Sequence, residues 1–259
     1  MRTISILNQN GGVGKTTLTT NLAHALAERG QRVLLIDCDM QANASMLLPD
    51  VTTPTLTHVL KRSVPLSAAI REARHNLWIV PADRDLNTAA NYIVSEGHRA
   101  YTTLRKQINE LQGYDVVLFD HAPSYSAITE AALLASHEML IPCELSKFSA
   151  KGMENMVQKL RDTLEDHTID LLGVVPFKLN RAHVDELEFL RQYEVVFGHF
   201  LLRPVRTDVN IPRAQAYNQT IFEHSPKSRA AEDIAALATT IMKGGTEDGQ
   251  PQRATAVGI

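Results

Sequence analysis

The chain contains little of several residue types whose abundance would define its class. It has only two cysteines among its 259 residues, Cys38 and Cys143, and they are widely separated. Without a Cys-x-x-Cys pair, we expect neither a zinc nor an iron–sulfur site from this chain alone. Two isolated cysteines suit a reducing cytosol as small buried hydrophobic residues. Aromatic residues make up 5% of the chain, which argues against a stacking platform for single-stranded nucleic acid.

Excess charge and long apolar runs are lacking as well. The net charge is −3, so the chain is not a uniformly basic nucleic-acid binder, and any DNA contact must come from a local patch. No apolar run approaches the ~18 residues of a membrane-spanning helix, and the first residues resemble a strand rather than a signal peptide. A hydrophobic content of 44% and a charged content of 21% are ordinary for a globular protein. We therefore expect a cytoplasmic protein with no membrane contact.

Short apolar segments alternate with helix-like stretches along most of the sequence. Strands are predicted at residues 3–8, 32–37, 76–80, 115–120, 138–143, 169–177 and 200–205. Helices are predicted at residues 15–28, 101–111, 127–135, 149–164, 184–195 and 228–242. This alternation predicts an α/β fold in which a mostly parallel, twisted sheet is covered by helices on both faces.

The remaining segments set the domain limits. Residues 49–65 carry three of the eleven prolines and are predicted to be irregular. Residues 244–259 are small and polar, so we expect a disordered tail there. Residues 1–243 are then predicted to form a single domain.

A glycine-rich turn follows the first predicted strand and opens the first predicted helix. Its glycines allow backbone N–H groups to turn inward toward phosphate oxygens, and the helix N-terminus adds partial positive charge. Lys15 has the length to reach the β- and γ-phosphates, where it is predicted to act in catalysis, and Thr16 offers its hydroxyl to Mg²⁺. The spacing G-x-x-G-K-T in this context indicates a P-loop that binds ATP. The predicted nucleotide contacts are Gly11, Gly12, Val13, Gly14, Lys15, Thr16 and Thr17.

Acidic residues end two of the predicted strands. Because ligands of parallel sheets lie beyond the carboxyl ends of strands, Asp37, Asp39 and Asp120 are expected at the same edge as the P-loop. Asp120 is predicted to hold Mg²⁺ directly or through water. Asp39 is predicted to contribute to the metal site and, in catalysis, to orient the attacking water. Asp37 is expected to lie deeper and to support the magnesium shell, while the neighbouring His121 is expected to be structural. Helix caps or turn residues are the alternative interpretation of these acids.

Three motifs resemble the ParA/MinD family of deviant Walker-A P-loop ATPases: GGVGKTT at 11–17, LLIDCDMQANAS at 34–45 and YDVVLFDHAPS at 114–124. The resemblance covers roughly residues 1–242. It implies an ATP-sandwich homodimer with switch regions after the second strand and at 120–124. ParA-type members bind nucleoid DNA non-specifically with ATP, and an adaptor protein stimulates hydrolysis and release, which positions a cargo.

Two positions depart from the family pattern. The family has a lysine where this chain has Asn10, and asparagine does not supply the positive charge that offsets charge developing on the phosphates. Lys151, with Lys147 as the second candidate, is predicted to replace it and act in catalysis, although either could belong to a solvated helix face. Met40 stands where partition ATPases commonly have proline. Asn10 together with Lys151 resembles the McdA subgroup, which distributes carboxysomes and implies an McdB-like adaptor.

The base of the nucleotide is expected on a different part of the chain. Asn180 follows the sixth predicted strand, where the purine contact of the resembling family lies, and its amide has the groups to pair with an adenine edge. The neighbouring contacts are predicted at Pro204, Val205 and Arg206. A simple loop turn is the alternative for Asn180.

A local basic stretch is the candidate for DNA contact. Residues 199–230 hold five basic and two acidic side chains, an excess of +3 in a chain of net −3. Such an excess suits phosphate contact without reading of the base sequence, with plain surface charge as the alternative. Arg203 or Arg206 could equally serve the nucleotide. The candidate DNA contacts are Arg203, Arg213, Lys227 and Arg229.

Four other functions compete on the same fold. A plasmid or chromosome partition ATPase with a ParB-like adaptor differs from the McdA-like, carboxysome-positioning ATPase only in its cargo. A MinD-like division regulator requires an amphipathic C-terminal helix, and residues 244–259 have no leucine or aromatic residue. A reductase would need cysteines placed in the switch loops, which Cys38 and Cys143 do not provide, and a dethiobiotin-type ligase would need a small-molecule substrate.

Overall fold

A computed structural model describes residues 1–48, 52–146, 167–180 and 182–244. Its strands are β1 (Arg2–Ile6), β2 (Val33–Cys38), β3 (Arg71–Arg74), β4 (Leu77–Val80), β5 (Val116–His121), β6 (Glu138–Cys143), β7 (Asp170–Leu179) and β8 (Val205–Arg206). Its helices are α1 (Lys15–Ala27), α2 (Asn43–Leu47), α3 (Leu56–Leu60), α4 (Leu66–Ala69), α5 (Leu86–Glu96), α6 (His98–Tyr101), α7 (Thr103–Glu110), α8 (Ala127–Leu134), α9 (Val184–Phe197), α10 (Asn210–Ala216), α11 (Ile221–His224) and α12 (Arg229–Met242). The predicted helix 149–164, both candidate replacement lysines and residues 245–259 lie outside the described residues.

The strands form one eight-stranded sheet in the order β3-β4-β2-β5-β1-β6-β7-β8. Every neighbouring pair is parallel except β3 with β4, which is antiparallel at the edge. All six residues of β2 and of β5 are buried, as their continuous apolar runs indicate for strands that are covered on both faces. The predicted α/β fold with a mostly parallel sheet is confirmed.

Alternate residues of the central strands enter two different cores. Leu35 and Leu118 pack with α1 and α12, whereas Ile36 and Phe119 pack with α3, α5, α7 and α8. Because successive side chains of a strand point to opposite faces, these two clusters cover the two faces of the sheet. No helix in the described part of the chain is both long and apolar enough to cross a membrane.

The sequence prediction was wrong or incomplete in several places, and it also missed the edge strand β3 and the eleven-residue helix α5. The segment 49–65 is not irregular throughout, because α3 lies within its described part. The predicted strand 200–205 contributes only the short β8, preceded by a 3₁₀ turn at Gly198–Phe200. Several helices of four to seven residues were not predicted, since such short elements carry too little periodicity to be recognised.

Candidate nucleotide site at the carboxyl edge of the sheet

The P-loop connects β1 to α1 and depends on left-handed backbone at two glycines. Gly12 has a φ of 77° and Gly14, the residue that precedes α1, has a φ of 92°. Glycine adopts this conformation without steric cost. A Cβ atom on Gly14 would also lie 2.4 Å from Cδ1 of Phe177 on β7. Asn8 ties the start of the loop to β6 through a 2.8 Å hydrogen bond from its Nδ2 to the carbonyl of Pro142.

Lys15 is buried at the start of α1 and points back across the loop. Its Nζ donates a 2.9 Å hydrogen bond to the carbonyl oxygen of Asn10. Burial lowers the pKa of Lys15, while the nearby carboxylates of Asp120 and Asp39 oppose that shift. The ammonium group therefore lies within the electrostatic reach of both candidate metal-site acids.

Asp120 occupies the carboxyl end of β5 and is fully buried. One carboxylate oxygen, Oδ1, accepts a 2.9 Å hydrogen bond from Oγ1 of Thr19, and the other, Oδ2, has no hydrogen-bond partner among the described residues. Burial and the neighbouring Asp37 raise the pKa of Asp120, whereas the hydroxyls of Thr16 and Thr19 lower it. Because an orphaned buried carboxylate oxygen is costly, this oxygen fits a group that supplies positive charge. A hard cation shared by Thr16 and Asp120 meets that requirement.

Asp37 lies within β2 and Asp39 lies just after it, but the two side chains have different surroundings. Asp37 pairs in register with Asp120, and its oxygens accept hydrogen bonds from the backbone N–H of Asp39 and from both N–H and Oγ of Ser45. Asp37 thus holds together the loop that leads into α2. Asp39 accepts a hydrogen bond from the N–H of Gln41 and borders the cleft beside the P-loop.

The cleft beside the P-loop has a volume of about 820 Å³. Three segments form it: the P-loop with the start of α1, the segment from Asp39 into α2, and the loop after β5. Two residues near α10 complete it. Its lining comprises Gly11, Gly12, Gly14, Lys15, Thr16, Thr17, Asp39, Met40, Gln41, Asn43, Met46, Leu47, Ala122, Pro123, Ser124, Gln215 and Asn218. The three sequence motifs therefore converge on one cavity.

Gln215 was not predicted from the sequence. It lies on α10, and its Nε2 donates a 2.9 Å hydrogen bond to Oγ1 of Thr17 at the start of α1. Farther along α1, the Oδ1 of Asn21 accepts a 2.6 Å hydrogen bond from the N–H of Ile221 on α11. Since these partners are about 200 positions apart in the chain, no local pattern could have indicated them.

His121 lies beside Asp120 but is directed into the core. Its Nε2 is 2.9 Å from Oγ of Ser5, which in turn contacts Oγ of Ser136 at 2.8 Å. Burial, with a smaller effect of Lys15, lowers the pKa of His121 to about 3. A neutral, fully buried imidazole fits the expected structural role.

The residues predicted to bind the base do not line the described cleft. The Oδ1 of Asn180 accepts a 3.1 Å hydrogen bond from the N–H of Ala182, which shapes the turn before α9. Arg206 donates to both carboxylate oxygens of Asp233 on α12, at 2.7 and 2.9 Å. Val205 is buried in β8, with Pro204 just before it. Their contact with a nucleotide stays a prediction.

The four candidate DNA contacts are all exposed. Arg203 approaches Asp233, with 3.8 Å between Nε and Oδ1. Asp233 lies beyond the basic stretch and also binds Arg206, so it offsets part of the local charge excess. Arg213 is on α10, the helix that carries Gln215 to the P-loop. Lys227 and Arg229 flank the start of α12.

Lys178 was not anticipated as a P-loop residue. Its Nζ donates 2.6 Å hydrogen bonds to the carbonyl oxygen of Gly12 and to Oε1 of Glu144. Lys178 has a φ of 64° at a register shift between β7 and β8. No local sequence pattern predicts that a lysine near the end of a strand contacts a loop 166 positions earlier in the chain.

Left-handed glycines, a buried lysine and an orphaned strand-end carboxylate together define a P-loop nucleotide site. The family described as "AAA domain" matches residues 1–171. The chain is 30% identical over 245 residues to the chromosome-partitioning ATPase Soj of Thermus thermophilus, which covers 93% of this chain and 96% of the relative. The chain belongs to the ParA/MinD family of P-loop ATPases.

Solved structures share the same fold. Apo McdA from Cyanothece superimposes with a TM-score of 0.82 at 23% identity, covering 93% of this chain and 99% of that one. The septum site-determining protein MinD of Pyrococcus horikoshii, complexed with Mg-ADP, has a TM-score of 0.78 at 25% identity, covering 97% of this chain and 99% of that one. Both similarities extend well beyond the residues of the P-loop.

Proposed function

We propose that this chain is an ATP-dependent positioning ATPase. ATP with Mg²⁺ joins two copies into a sandwich dimer, the dimer binds nucleoid DNA without sequence preference, and an adaptor protein releases it by stimulating hydrolysis to ADP and phosphate. The cargo in this proposal is the carboxysome and the adaptor is McdB-like. The protein is then cytoplasmic and nucleoid-associated.

The chemistry rests on residues that line the cleft and on Asp120, which is fully buried next to the lining residue Thr16. The N–H groups of the glycine-rich loop hold phosphate oxygens, and Lys15 adds a charged donor that has Asn10 as its present partner. Thr16 and the orphaned oxygen of Asp120 would hold Mg²⁺, which supplies charge neutralisation at the phosphates. Asp39, at the edge of the cleft, orients the attacking water.

The missing P-loop lysine is part of the proposal. Asn10 stands at its position, so the charge that crosses the dimer has to come from another residue. We assign that role to Lys151, with Lys147 as the second candidate, both of which lie outside the described residues. The combination of Asn10 with Lys151 is the feature that favours an McdA-like member.

One hydrogen bond connects the nucleotide cleft to the helix that carries a candidate DNA contact. Gln215 on α10 binds Oγ1 of Thr17 on α1, and both residues border the nucleotide cleft. The same short helix presents Arg213 to solvent. Because residues on one α-helix move together, a change in the P-loop helix would shift the position of Arg213 as well. This coupling supports DNA binding that depends on the bound nucleotide.

Partition of a plasmid or chromosome is the second candidate, favoured by the 30% identity to Soj. The two functions share the ATPase cycle and differ in the adaptor that selects the cargo. A small McdB-like partner would support carboxysome positioning, whereas a ParB-like partner that binds a specific DNA site would support partition. Pull-down with the full-length chain and ATP distinguishes the two.

The decisive experiment is a gel shift with random-sequence duplex DNA at a fixed ~100 mM salt, because such binding is strongly salt-dependent. Binding with ATP, but not with ADP or without nucleotide, is the expected result. Arg213→Glu should reduce the affinity, and Lys106→Glu is the charge-matched control because Lys106 is exposed on α7. Equal loss in both variants would remove α10 from the DNA surface.

A MinD-like membrane regulator is the alternative of another class. It would bind vesicles that contain anionic lipid when ATP is present and would leave duplex DNA unshifted. Absence of DNA binding in every nucleotide state, with ATP binding intact, would refute the nucleoid part of the proposal. Vesicle binding would then identify the membrane alternative.

A further inference from the structure

We propose that Lys178 is a positioning residue for phosphate binding, acting on the P-loop from β7. The observation is the pair of hydrogen bonds from its Nζ, each 2.6 Å long, to the carbonyl oxygen of Gly12 and to Oε1 of Glu144. Glu144 directly follows β6, so the ammonium group joins the P-loop to the ends of two strands. The inference rests on nucleotide binding at the P-loop and is independent of DNA, adaptor and cargo.

The backbone holds Lys178 in an unusual conformation at this place. Its φ of 64° is left-handed, a conformation that non-glycine residues seldom adopt. Lys178 lies where the register of β7 against β8 shifts, between Phe177 and Leu179. The carbonyl oxygen of Lys178 accepts a 2.7 Å hydrogen bond from Oγ1 of Thr207. Since such conformations persist only where surrounding contacts enforce them, the bulge fixes the direction from which the side chain leaves the strand.

The contact with Gly12 determines the orientation of one peptide unit in the loop. A trans peptide is planar, and its C=O and N–H point in opposite directions. The carbonyl of Gly12 points toward Lys178, which is not among the residues that line the cleft. The N–H of Val13, in the same peptide unit, is therefore directed away from Lys178. An inward N–H is what a phosphate-binding loop requires.

The preceding residue contacts the same loop. Phe177 lies so close to Gly14 that an added Cβ would be 2.4 Å from its ring. Two successive residues of β7 thus contact the second and the last glycine of the loop. In this arrangement Phe177 limits the space next to Gly14, while Lys178 fixes the orientation of the peptide unit between Gly12 and Val13.

The test compares nucleotide affinities of variants in the absence of DNA. Lys178→Asn removes the amine, and asparagine tolerates left-handed backbone, so the nucleotide-free protein should unfold at the same temperature as wild type. We expect ADP and ATP, each with Mg²⁺, to bind about tenfold more weakly, the size of effect expected for losing a charge-assisted hydrogen bond. Turnover at saturating ATP should change less than about twofold.

Further variants separate positioning from other roles. Lys178→Arg should restore affinity for both nucleotides to within about threefold, because arginine keeps a charged donor. Glu144→Gln should leave nucleotide affinity near that of wild type, since the contact with Gly12 persists. Lys106→Asn is the matched control, because Lys106 is exposed on α7 and does not line the cleft; this variant should bind both nucleotides as wild type does.

Three results would overturn the proposal. Unchanged affinity of Lys178→Asn for both nucleotides would show that the loop does not need the contact. Weakened binding of ATP alone would indicate direct action on the terminal phosphate rather than loop positioning. An arginine variant as weak as the asparagine variant would show that the charged donor is irrelevant. Each result is independent of whether the protein binds DNA.

Discussion

Gly14→Ala provides the most quantitative test of the P-loop geometry. Gly14 lies at φ 92° and ψ 23°, in the left-handed region, immediately before α1. An alanine there costs about 1–2 kcal/mol for its backbone conformation alone. Its Cβ would also lie 2.4 Å from Cδ1 and 2.5 Å from Cε1 of Phe177, both too close for real contacts. Overpacking of this kind costs about 1–3 kcal/mol more.

The expected total for Gly14→Ala is therefore a loss of about 2–5 kcal/mol in the free energy of unfolding. Urea denaturation of the nucleotide-free protein measures it. Gly11→Ala is the matched control, because Gly11 has no positive φ and a Cβ built on it has no atom within 4 Å in the part of the chain that the structure describes. Its free energy of unfolding should change by less than about 0.5 kcal/mol.

A double-mutant cycle separates the two costs. Phe177→Val removes the ring, so Gly14→Ala in that background should retain the conformational cost and lose the collision. The coupling free energy should be about 1–3 kcal/mol, the part assigned to overpacking. If Gly14→Ala costs the same in both backgrounds, the close packing of Phe177 on the loop does not contribute and the reasoning fails.

Three further predictions concern residues around the cleft. Ser45→Ala removes a hydroxyl that donates to Asp37 at 2.6 Å, and we expect a loss of about 1–3 kcal/mol in urea denaturation; a loss below about 0.5 kcal/mol would contradict this. Burial lowers the pKa of His24 below its ordinary 6.5, so its contribution to stability should be complete above that pH and decline as pH falls toward the folded-state pKa. The wild-type advantage over His24→Gln should shrink between pH 8 and about pH 5, and a constant difference would refute the assignment. Lys151→Ala should abolish ATP hydrolysis while the thermal unfolding temperature stays the same, and unchanged turnover would disprove the replacement of the missing lysine.

The sequence by itself determined the architecture and the location of the site. Apolar runs such as those of β2 and β5 are a local pattern typical of strands that are covered on both faces. The spacing of Gly11, Gly14 and Lys15 identified the P-loop, and the strand-end acids had to lie at the same edge because parallel strands end together. These features depend on neighbours in sequence, so they could be recognised without coordinates.

Only the tertiary structure decided which hydrogen-bond partners these similar residues have. Asp37 and Asp120 are equivalent in sequence pattern and lie side by side. Ser45 satisfies Asp37, whereas Oδ2 of Asp120 has no hydrogen-bond partner among the described residues. Lys178 reaches Gly12 across 166 positions, through a bulge that no local pattern encodes. Hydrogen bonds between distant segments depend on how the sheet brings them together. Their partners are therefore fixed only when the chain is folded.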